Sequence, residues 1–356
     1  MPTAGAAALG AAVLLFSLLP SPAPQSADVL QSSGALPAHI AGRFEELAAC
    51  QRTADGDYFV FDRRSHMVFR VASSFKEPPR EIVGVGVEPG RILHASTFDS
   101  AADGTFVIAD APFGTPRVQI FHETGARLGG FALARLPGPI VTMEQMVVNG
   151  VGSVEYTGTS ILVSQPESGA LVTEYSLDGR TTRAFGILRR TGHEDDRDVH
   201  LALNTGRIVA DPTGGFYFVF LAGDPVFRKY DAAGKLLFER HIEGLELDAY
   251  VRDMPTRWPR RGRGGEIPLV RPAVRTAAAD SAGNLWVSLS VPFTYVYDRT
   301  GQKRRTVQFR GAGLLSPLGM FFGPQGRLLV SPGCYAFETN GASPARNLAA
   351  RTRTLY

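Results

Sequence analysis

The chain has 356 residues, of which 44% are hydrophobic and 20% are charged, and its formal net charge is +3. This charge is too small for a typical nucleic-acid-binding protein, and the apolar fraction is too high for a disordered chain. The 39 glycines and 24 prolines are spread along the whole length, which excludes a helical bundle and predicts a turn-rich, all-β protein with a sizeable core.

The first residues of the chain have the pattern of an export signal. Residues 6–19 are all apolar or small, and this stretch is shorter than the roughly 20 residues that a helix needs to cross a bilayer. Small residues and prolines follow it, which is typical of a signal-peptidase site near Ala27. The first Lys or Arg is Arg43, so the usual basic start is missing, and a buried N-terminal strand or helix is the alternative. We predict a signal peptide over residues 1–27, a secreted or periplasmic location, and no transmembrane segment in the mature chain.

A repeated pair of residues organises the rest of the chain. An aromatic residue is followed four positions later by glycine in five places, and Phe69 marks a further unit in which Ser73 replaces the glycine. The five pairs are Phe121–Gly125, Tyr175–Gly179, Tyr230–Gly234, Tyr297–Gly301 and Phe337–Gly341. The six aromatic positions are 52, 54, 55, 67 and 40 residues apart. We expect these side chains to pack between units rather than to bind a cofactor.

A second glycine precedes a β-rich run in every unit. These glycines are Gly56, Gly104, Gly158, Gly215, Gly283 and Gly326. Each unit is therefore expected to contain four strands and two tight turns, and Asp-Gly pairs such as Asp55-Gly56 suit two-residue hairpin turns. Four antiparallel strands that recur about every 40–55 residues are typical of a propeller blade. The prediction is an all-β, six-bladed β-propeller of four-stranded antiparallel blades over residues 43–341.

Three features depart from the plain repeat. An N-terminal extension (28–42) and a C-terminal tail (342–356) flank the propeller, and one of them is expected to complete the ring because the sixth unit is short. The 67-residue step into the fifth unit indicates an insertion, placed at residues 252–275. Cys50 and Cys334 lie near the two ends of the ring, so a disulfide is one prediction. A pair of buried thiols is the other, and the repeat map favours it because it puts the two residues at different heights.

Polar residues cluster between the third and fourth units and in the insertion. His193, Asp198 and His200 lie in an acidic run that can be a metal site or a solvated loop. The insertion is rich in arginine, so it can bind an anionic ligand or form a basic surface loop. The resulting hypothesis is a ligand site made by five residues, namely His200, Asn204, Trp258, Arg260 and Arg271.

Two stretches carry a family resemblance. One comprises residues 84–90, Phe98, 103–104 and 108–110, and the other comprises residues 185–204, 208–211 and 230–237. They resemble the NHL-like or TolB-like group of bacterial secreted six-bladed β-propellers, over about residues 44–340. This resemblance implies a fold and an exported protein, and it implies no particular reaction.

The leading functional hypothesis is an exported, non-catalytic binding module that recognises a small molecule, a glycan or an envelope protein at one mouth of the channel, without nucleic acid or cofactor. The alternative is a metal-dependent hydrolase or lyase that acts in the channel. Similarity to lactonase-type propellers, which hold calcium on the channel axis, implies four oxygen ligands, namely Glu45, Asn149, Asn204 and Asp253. A third hypothesis is an assembly protein that joins envelope components through its outer blade edges. The sequence leaves open whether the chain is an enzyme, and it favours a binding protein.

Overall fold

The computed structural model describes residues 27–339, apart from 135, 137, 144–145, 150, 263–265 and 324–325, and gives only the backbone of 140–149. The predicted C-terminal tail, and the predicted signal peptide apart from Ala27, lie outside the described residues. Among the helices that are described, none is long and apolar enough to span a membrane.

The first half of the chain contains three blades. It starts with β1 (Asp28–Gln31) and the short helix α1 (Ala38–Ala41). Blade 1 consists of β2 (Leu47–Arg52), β3 (Tyr58–Asp62), β4 (Met67–Val71) and β5 (Arg80–Val83). Blade 2 consists of β6 (Thr97–Ser100), β7 (Phe106–Asp110), β8 (Arg117–Phe121) and β9 (Arg127–Ala132). A hairpin of β10 (Ile140–Met143) and β11 (Met146–Asn149) precedes blade 3, which consists of β12 (Ser153–Tyr156), β13 (Ser160–Ser164), β14 (Val172–Ser176) and β15 (Thr181–Phe185).

The second half adds three more blades and further connecting elements. Helix α2 (Arg197–Leu203) precedes blade 4, which consists of β16 (Gly206–Ala210), β17 (Phe216–Phe220), β18 (Val226–Tyr230) and β19 (Leu236–His241). Next come α3 (Leu245–Arg252), β20 (Arg260–Arg261) and β21 (Ile267–Val270). Blade 5 consists of β22 (Val274–Ala279), β23 (Leu285–Leu289), β24 (Thr294–Tyr297) and β25 (Lys303–Arg310), to which β26 (Leu314–Leu315) adds. Blade 6 consists of β27 (Gly319–Phe322), β28 (Arg327–Ser331) and β29 (Tyr335–Glu338).

The predicted six-bladed β-propeller is confirmed by this arrangement. Each blade is an antiparallel meander, and its first strand lies innermost. The innermost strands contact one another in the order β6, β12, β16, β22, β27 and β2, and blades 1 and 2 are joined by a hydrogen bond from Gln51 to Asp99. The ring therefore encloses a central channel with one wall strand from every blade.

Six apolar clusters fill the six seams between neighbouring blades. Alternate residues of a strand face opposite seams, as in β17, where Phe218 packs towards blade 3 while Tyr217 and Val219 pack towards blade 5. Successive side chains of a strand point to opposite faces, and both faces of a blade are covered, so the strands are apolar almost throughout. The aromatic residues of the repeat lie in the third strand of each blade and pack against other rings, as the sequence predicted. For five of them these rings lie within the blade or in a neighbouring blade, and for Phe69 the ring is that of Phe44, before blade 1. An example is Tyr297, whose ring centroid is 4.8 Å from that of Phe227.

The repeated glycines of the described residues occupy hairpin turns, and most of these turns are longer than expected, although Gly158 lies in a two-residue turn as predicted. Gly56 has φ of +95°, its N–H donates to Thr53, and the N–H of Thr53 donates to Asp57. The loop therefore has three residues, with glycine in the left-handed region at its third position, instead of the predicted two. The reason is that a type I turn needs one left-handed residue after it to bring the strands back into register.

The N-terminal extension completes the ring. β1 pairs in parallel with β25 of blade 5, and the chain then crosses to blade 6, where the N–H of Ser33 donates to Ala336 and the N–H of Ala336 donates to Gly34. Ile40 of α1 is buried between blades 6 and 1. We call residues 28–44 the strap. Its Ser33–Gly34 stretch takes the place of a fourth strand on the short sixth blade, a role that the sequence left open between the two termini.

Cys50 and Cys334 form a disulfide across the same seam, with Cα atoms 5.6 Å apart. The preference for two separate thiols was therefore wrong. The prediction assigned each cysteine a position along a regular blade strand. Cys334 instead lies in the turn between β28 and β29, and this turn reaches inward to β2.

Candidate functional site in the central channel

A cavity of about 100 Å³ lies in the channel, at the end where the innermost strands begin. Its wall is formed by residues of β2, β6, β16, β22 and β27, together with Phe61 and Arg63 from blade 1. Ser96 and Leu318 are exposed and mark its entrance. Most of the lining residues belong to blades 6, 1 and 2, so the cavity is off-centre in the ring.

A chain of polar contacts connects four blades beside this cavity. Gln51 of blade 1 donates through Nε2 to Oδ1 of Asp99 at 2.9 Å, and Oδ2 of Asp99 accepts from the backbone N–H of Tyr156 in blade 3 at 2.7 Å. Oε1 of Glu155 accepts from the N–H of Ala210 in blade 4 at 2.8 Å. The inner edge of an innermost strand has no further strand to pair with, so these carboxylates satisfy its N–H groups.

The two carboxyl groups are shifted towards their protonated forms. Burial raises the pKa of Asp99. Burial also raises the pKa of Glu155 to about 8, and the neighbouring Asp99 charge adds to this shift, whereas the Arg207 guanidinium opposes it. Like charges in a poorly solvated site cannot both ionise readily, so the pair retains a proton at neutral pH. The positive charge of Arg207 favours the ionised form of both carboxyl groups and so opposes this shift.

Three residues that line the cavity each carry a buried polar atom with no hydrogen-bond partner among the described residues. The atoms are Oε1 of Gln51, Oγ1 of Thr97 and Nε of Arg207. Gln51 is 5% exposed and Thr97 is 6% exposed, so bulk water does not solvate these side chains. A buried polar atom without a partner costs about 1–3 kcal/mol, and such atoms commonly mark a bound water or ligand.

The sequence did not single out these channel residues. Gln51 and Asp99 each lie five positions before the first turn glycine of their unit, Gly56 and Gly104. A polar residue at a fixed position in a buried, mostly apolar strand was the signal available. It could be interpreted only once the first strand of each unit was known to line the channel.

The predicted contact residues of the fourth-blade connection have partners within the chain. Helix α2 starts at the N-cap Asp196, whose side chain accepts from the N–H of Val199. His200 lies on this helix, with Nδ1 2.8 Å from Oγ1 of Thr191. Asn204 is completely buried, and its amide pairs with the backbone of Arg189 and His200. Its amide therefore holds the loop before α2 against the end of that helix.

The predicted contact residues of the insertion lie on the other side of α2. Trp258 packs against the buried face of α2, and its Nε1 has no partner among the described residues. Arg260 forms an ion pair with Asp196 and donates to the backbone of Glu266. Arg271 stacks 4.5 Å above the ring of Tyr250 and donates to the backbone of Asp253. His200, Trp258 and Arg260 are thus brought together around one helix, while whether they contact a ligand stays a prediction.

Two insertions combine into one small sheet at this face of the ring. The predicted insertion at residues 252–275 contains β20 and β21 and starts at the last residue of α3. The sequence did not reveal the second insertion, the hairpin of β10 and β11. β21 pairs with β20 and, in parallel, with β10, and both β10 and β21 contact α2. We call these four strands the cap sheet. The cap sheet joins the segment before blade 3 to the segment before blade 5. The cavity is lined mainly by blades 6, 1 and 2, on the other side of the ring.

The predicted calcium ligands are not all available as free oxygen ligands. Both polar atoms of the Asn204 side chain are already hydrogen-bonded. Glu45 is exposed before blade 1, and Asp253 is exposed at the end of α3. The side chain of Asn149 lies outside the described residues. Across the described part of the chain, no group of three His, Cys, Asp or Glu side chains is arranged to hold a metal ion.

No protein-family model and no curated protein matches the sequence. The fold is similar to that of virginiamycin B lyase from Staphylococcus aureus, at 9% identity over 80% of this chain and 79% of that chain, with a TM-score of 0.46. It is also similar to a streptogramin B lyase, at 10% identity over 85% and 95% of the two chains, with a TM-score of 0.49. BamB from Moraxella catarrhalis is 11% identical over 81% and 70% of the chains, with a TM-score of 0.40. At these identities the likeness concerns fold alone, and the six-bladed assignment rests on the strand order described above.

Proposed function

We propose that the chain is an exported binding propeller that takes a small polar molecule into the channel cavity. The observation that carries this proposal is that Gln51, Thr97 and Arg207 line one cavity and each carry an unpartnered polar atom. A ligand that donates to and accepts from these atoms recovers the hydrogen bonds that folding leaves unmade. The proposed site is therefore in the wall of the channel, and not at the contact residues predicted from the sequence around α2.

Two features support export. The apolar segment at residues 6–19 has the length of a signal-peptide core. The Cys50–Cys334 disulfide is of the kind that persists in the periplasm or outside the cell, where thiols are oxidised. Membership in the NHL-like or TolB-like group is part of the same proposal, because that group is exported.

The test compares two buried threonines. Thr97→Val removes the unpartnered hydroxyl of a residue that lines the cavity, whereas Thr294→Val removes a similarly buried, unpartnered hydroxyl of a β24 residue that does not line it. Small polyols, carboxylates and amines are titrated into the purified protein, and binding is followed by calorimetry. We expect Thr97→Val to weaken binding about tenfold, which corresponds to about 1.4 kcal/mol, and Thr294→Val to leave it unchanged. Equal losses in both variants would contradict a channel site.

Catalysis in the channel is the second candidate, and one observation favours it. Glu155 holds a proton at neutral pH, with a pKa of about 8, and lies beside a second carboxyl group, Asp99. A carboxylic acid with such a pKa is suited to general acid catalysis. Turnover of esters or lactones that is lost in Glu155→Gln would support this candidate. The metal-dependent form also requires bound calcium, which metal analysis of the purified protein tests directly.

A further inference from the structure

We infer that the ligand of the channel cavity is a neutral polyhydroxy compound, either a free polyol or the terminal sugar of a glycan. This inference rests on the proposed binding function and specifies the chemistry of its ligand. Three properties of the cavity lead to it: the types of its unpartnered atoms, the balance of its charges, and the mixture of polar and apolar surface in its wall.

The unpartnered atoms require a ligand that both donates and accepts. Oε1 of Gln51 only accepts, Nε of Arg207 only donates, and Oγ1 of Thr97 does either. A carboxylate cannot donate to Gln51, and an ammonium group cannot accept from Arg207. A hydroxyl group does both, so neighbouring hydroxyls on one carbon chain can satisfy all three atoms.

The charged groups beside the cavity already have partners. Arg207 interacts electrostatically with the buried Asp99–Glu155 pair, which retains a proton at neutral pH. Arg63, at the edge of the cavity, forms an ion pair with Glu46. An anionic or cationic ligand would therefore bring an uncompensated charge into a poorly solvated site, which costs free energy. A neutral ligand avoids this cost.

The apolar part of the wall suits the carbon skeleton of such a ligand. Phe61, Met320 and Phe321 line the cavity together with the small residues Ala48 and Ala49. A polyol or sugar has polar hydroxyls on its edges and C–H groups between them, so one face can pack on apolar side chains while the hydroxyls form hydrogen bonds. Polar groups that fix orientation within a largely apolar cavity are typical of small-molecule sites.

The experiment uses probes of matched size and different charge. Erythritol, its carboxylate counterpart erythronate and its amine counterpart aminobutanetriol are titrated into the purified full chain, with methyl glucoside as the sugar probe and butyramide as a neutral amide. We expect erythritol or methyl glucoside to bind at least tenfold more tightly than the two charged probes and the amide. Tighter binding of erythritol identifies a polyol site, and tighter binding of methyl glucoside identifies a site for a terminal sugar.

Two variants link the binding to the wall atoms. Gln51→Leu and Thr97→Val are each expected to weaken binding of the neutral probe about tenfold, whereas Thr294→Val leaves it unchanged. The comparison among probes needs only the wild-type chain, so a variant that fails to fold does not remove the test. If a charged probe or the amide binds most tightly, the neutral-polyol inference is overturned while the binding function stands. If no probe binds and the cavity holds only water, the binding function itself is overturned.

Discussion

Between blades 4 and 5 the buried core of the seam includes four aromatic rings, whereas between blades 6 and 1 no aromatic ring is fully buried in the seam cluster. Phe227 of blade 4 is completely buried, with its ring centroid 4.8 Å from that of Tyr297 and 6.2 Å from that of Tyr217. The buried members of the other seam are mostly aliphatic, among them Ile40 and Leu329, and the two half-cystines join them. That seam also contains the strap and the disulfide.

The difference follows from how the chain passes each seam. Blades 4 and 5 are consecutive in sequence, so a connecting segment holds them close and apolar packing is sufficient to align them. Blades 6 and 1 lie at opposite ends of the ring-forming sequence, and closing a long loop costs conformational entropy before any contact forms. The strap and the disulfide offset that cost. The closing seam therefore depends on covalent and main-chain links where other seams depend on side-chain packing.

Removing the Cys50–Cys334 disulfide is expected to have the largest effect on stability. The double substitution Cys50→Ala and Cys334→Ala opens a loop with a sequence separation of 284 residues. We expect the free energy of unfolding to fall by about 5 kcal/mol, because long loops gain the most from a crosslink. Denaturant unfolding of both proteins measures the change, and added reductant should destabilise only the wild type. Coincident unfolding curves for the two proteins would contradict the role given to the disulfide.

The next largest effect is expected from one alanine substitution in each of the two seams, which allows the seams to be compared directly. Phe227→Ala and Ile40→Ala each remove a fully buried side chain, at expected costs of about 3–5 and 2–5 kcal/mol. Each substitution is made with and without the disulfide, and denaturant unfolding gives the coupling free energy. We expect Ile40→Ala to be coupled to the disulfide by more than about 0.5 kcal/mol, because both hold one seam, and Phe227→Ala to be additive. Simple additivity of both substitutions would show that the closing seam is not a single unit.

The effect that is smallest per unit change in conditions concerns the inner ends of the seams around blade 3, where carboxyl groups connect adjacent blades. Glu155 keeps its proton in the folded protein up to a pH of about 8, whereas an unfolded glutamate loses it near 4.5. The folded state binds more protons within this window, so the free energy of unfolding decreases as pH rises from about 4.5 to 8 and this contribution levels off above it. The slope is at most about 1.4 kcal/mol per pH unit.

Urea unfolding at a series of pH values measures this slope. Glu155→Gln should reduce it, while Asp99, whose pKa is raised in the same direction, leaves a remainder. Glu239→Gln, on the outer strand of blade 4, is the matched control and should keep the wild-type slope. An unchanged slope in Glu155→Gln would show that Glu155 is not the titrating group.

The features that repeat along the chain could be predicted from the sequence. The aromatic and glycine positions gave the number of blades, because every blade needs the same turns and the same buried third strand. Phe121 and Gly125 illustrate this: the residue at the end of β8 is buried, and the glycine four positions on has a positive φ of 88°.

The features that join distant segments could not be predicted in the same way. The parallel pairing of β10 with β21 joins residues 142–143 to 269–270, and neither segment carries a pattern that identifies the other. Arg207 looked like an ordinary polar residue at the start of a strand until the ring placed it beside Asp99 and Glu155. Sequence periodicity describes one blade at a time, whereas the candidate site is a property of several blades together.

The strap also sets an order of events during protein synthesis. Residues 28–34 are made before any of the six blades, yet their main-chain partners at 307–310 and 336 are among the last of the described residues to be made. Cys50 likewise remains a thiol until Cys334 is made, and because the sequence has only these two cysteines it has no other intramolecular partner. A chain that stops before blade 6 would expose an open apolar seam, an unpaired strap and a free thiol at the same time. Exposed apolar surface and unpaired strands make a chain prone to aggregate, so an incomplete ring differs chemically from a finished one at three points.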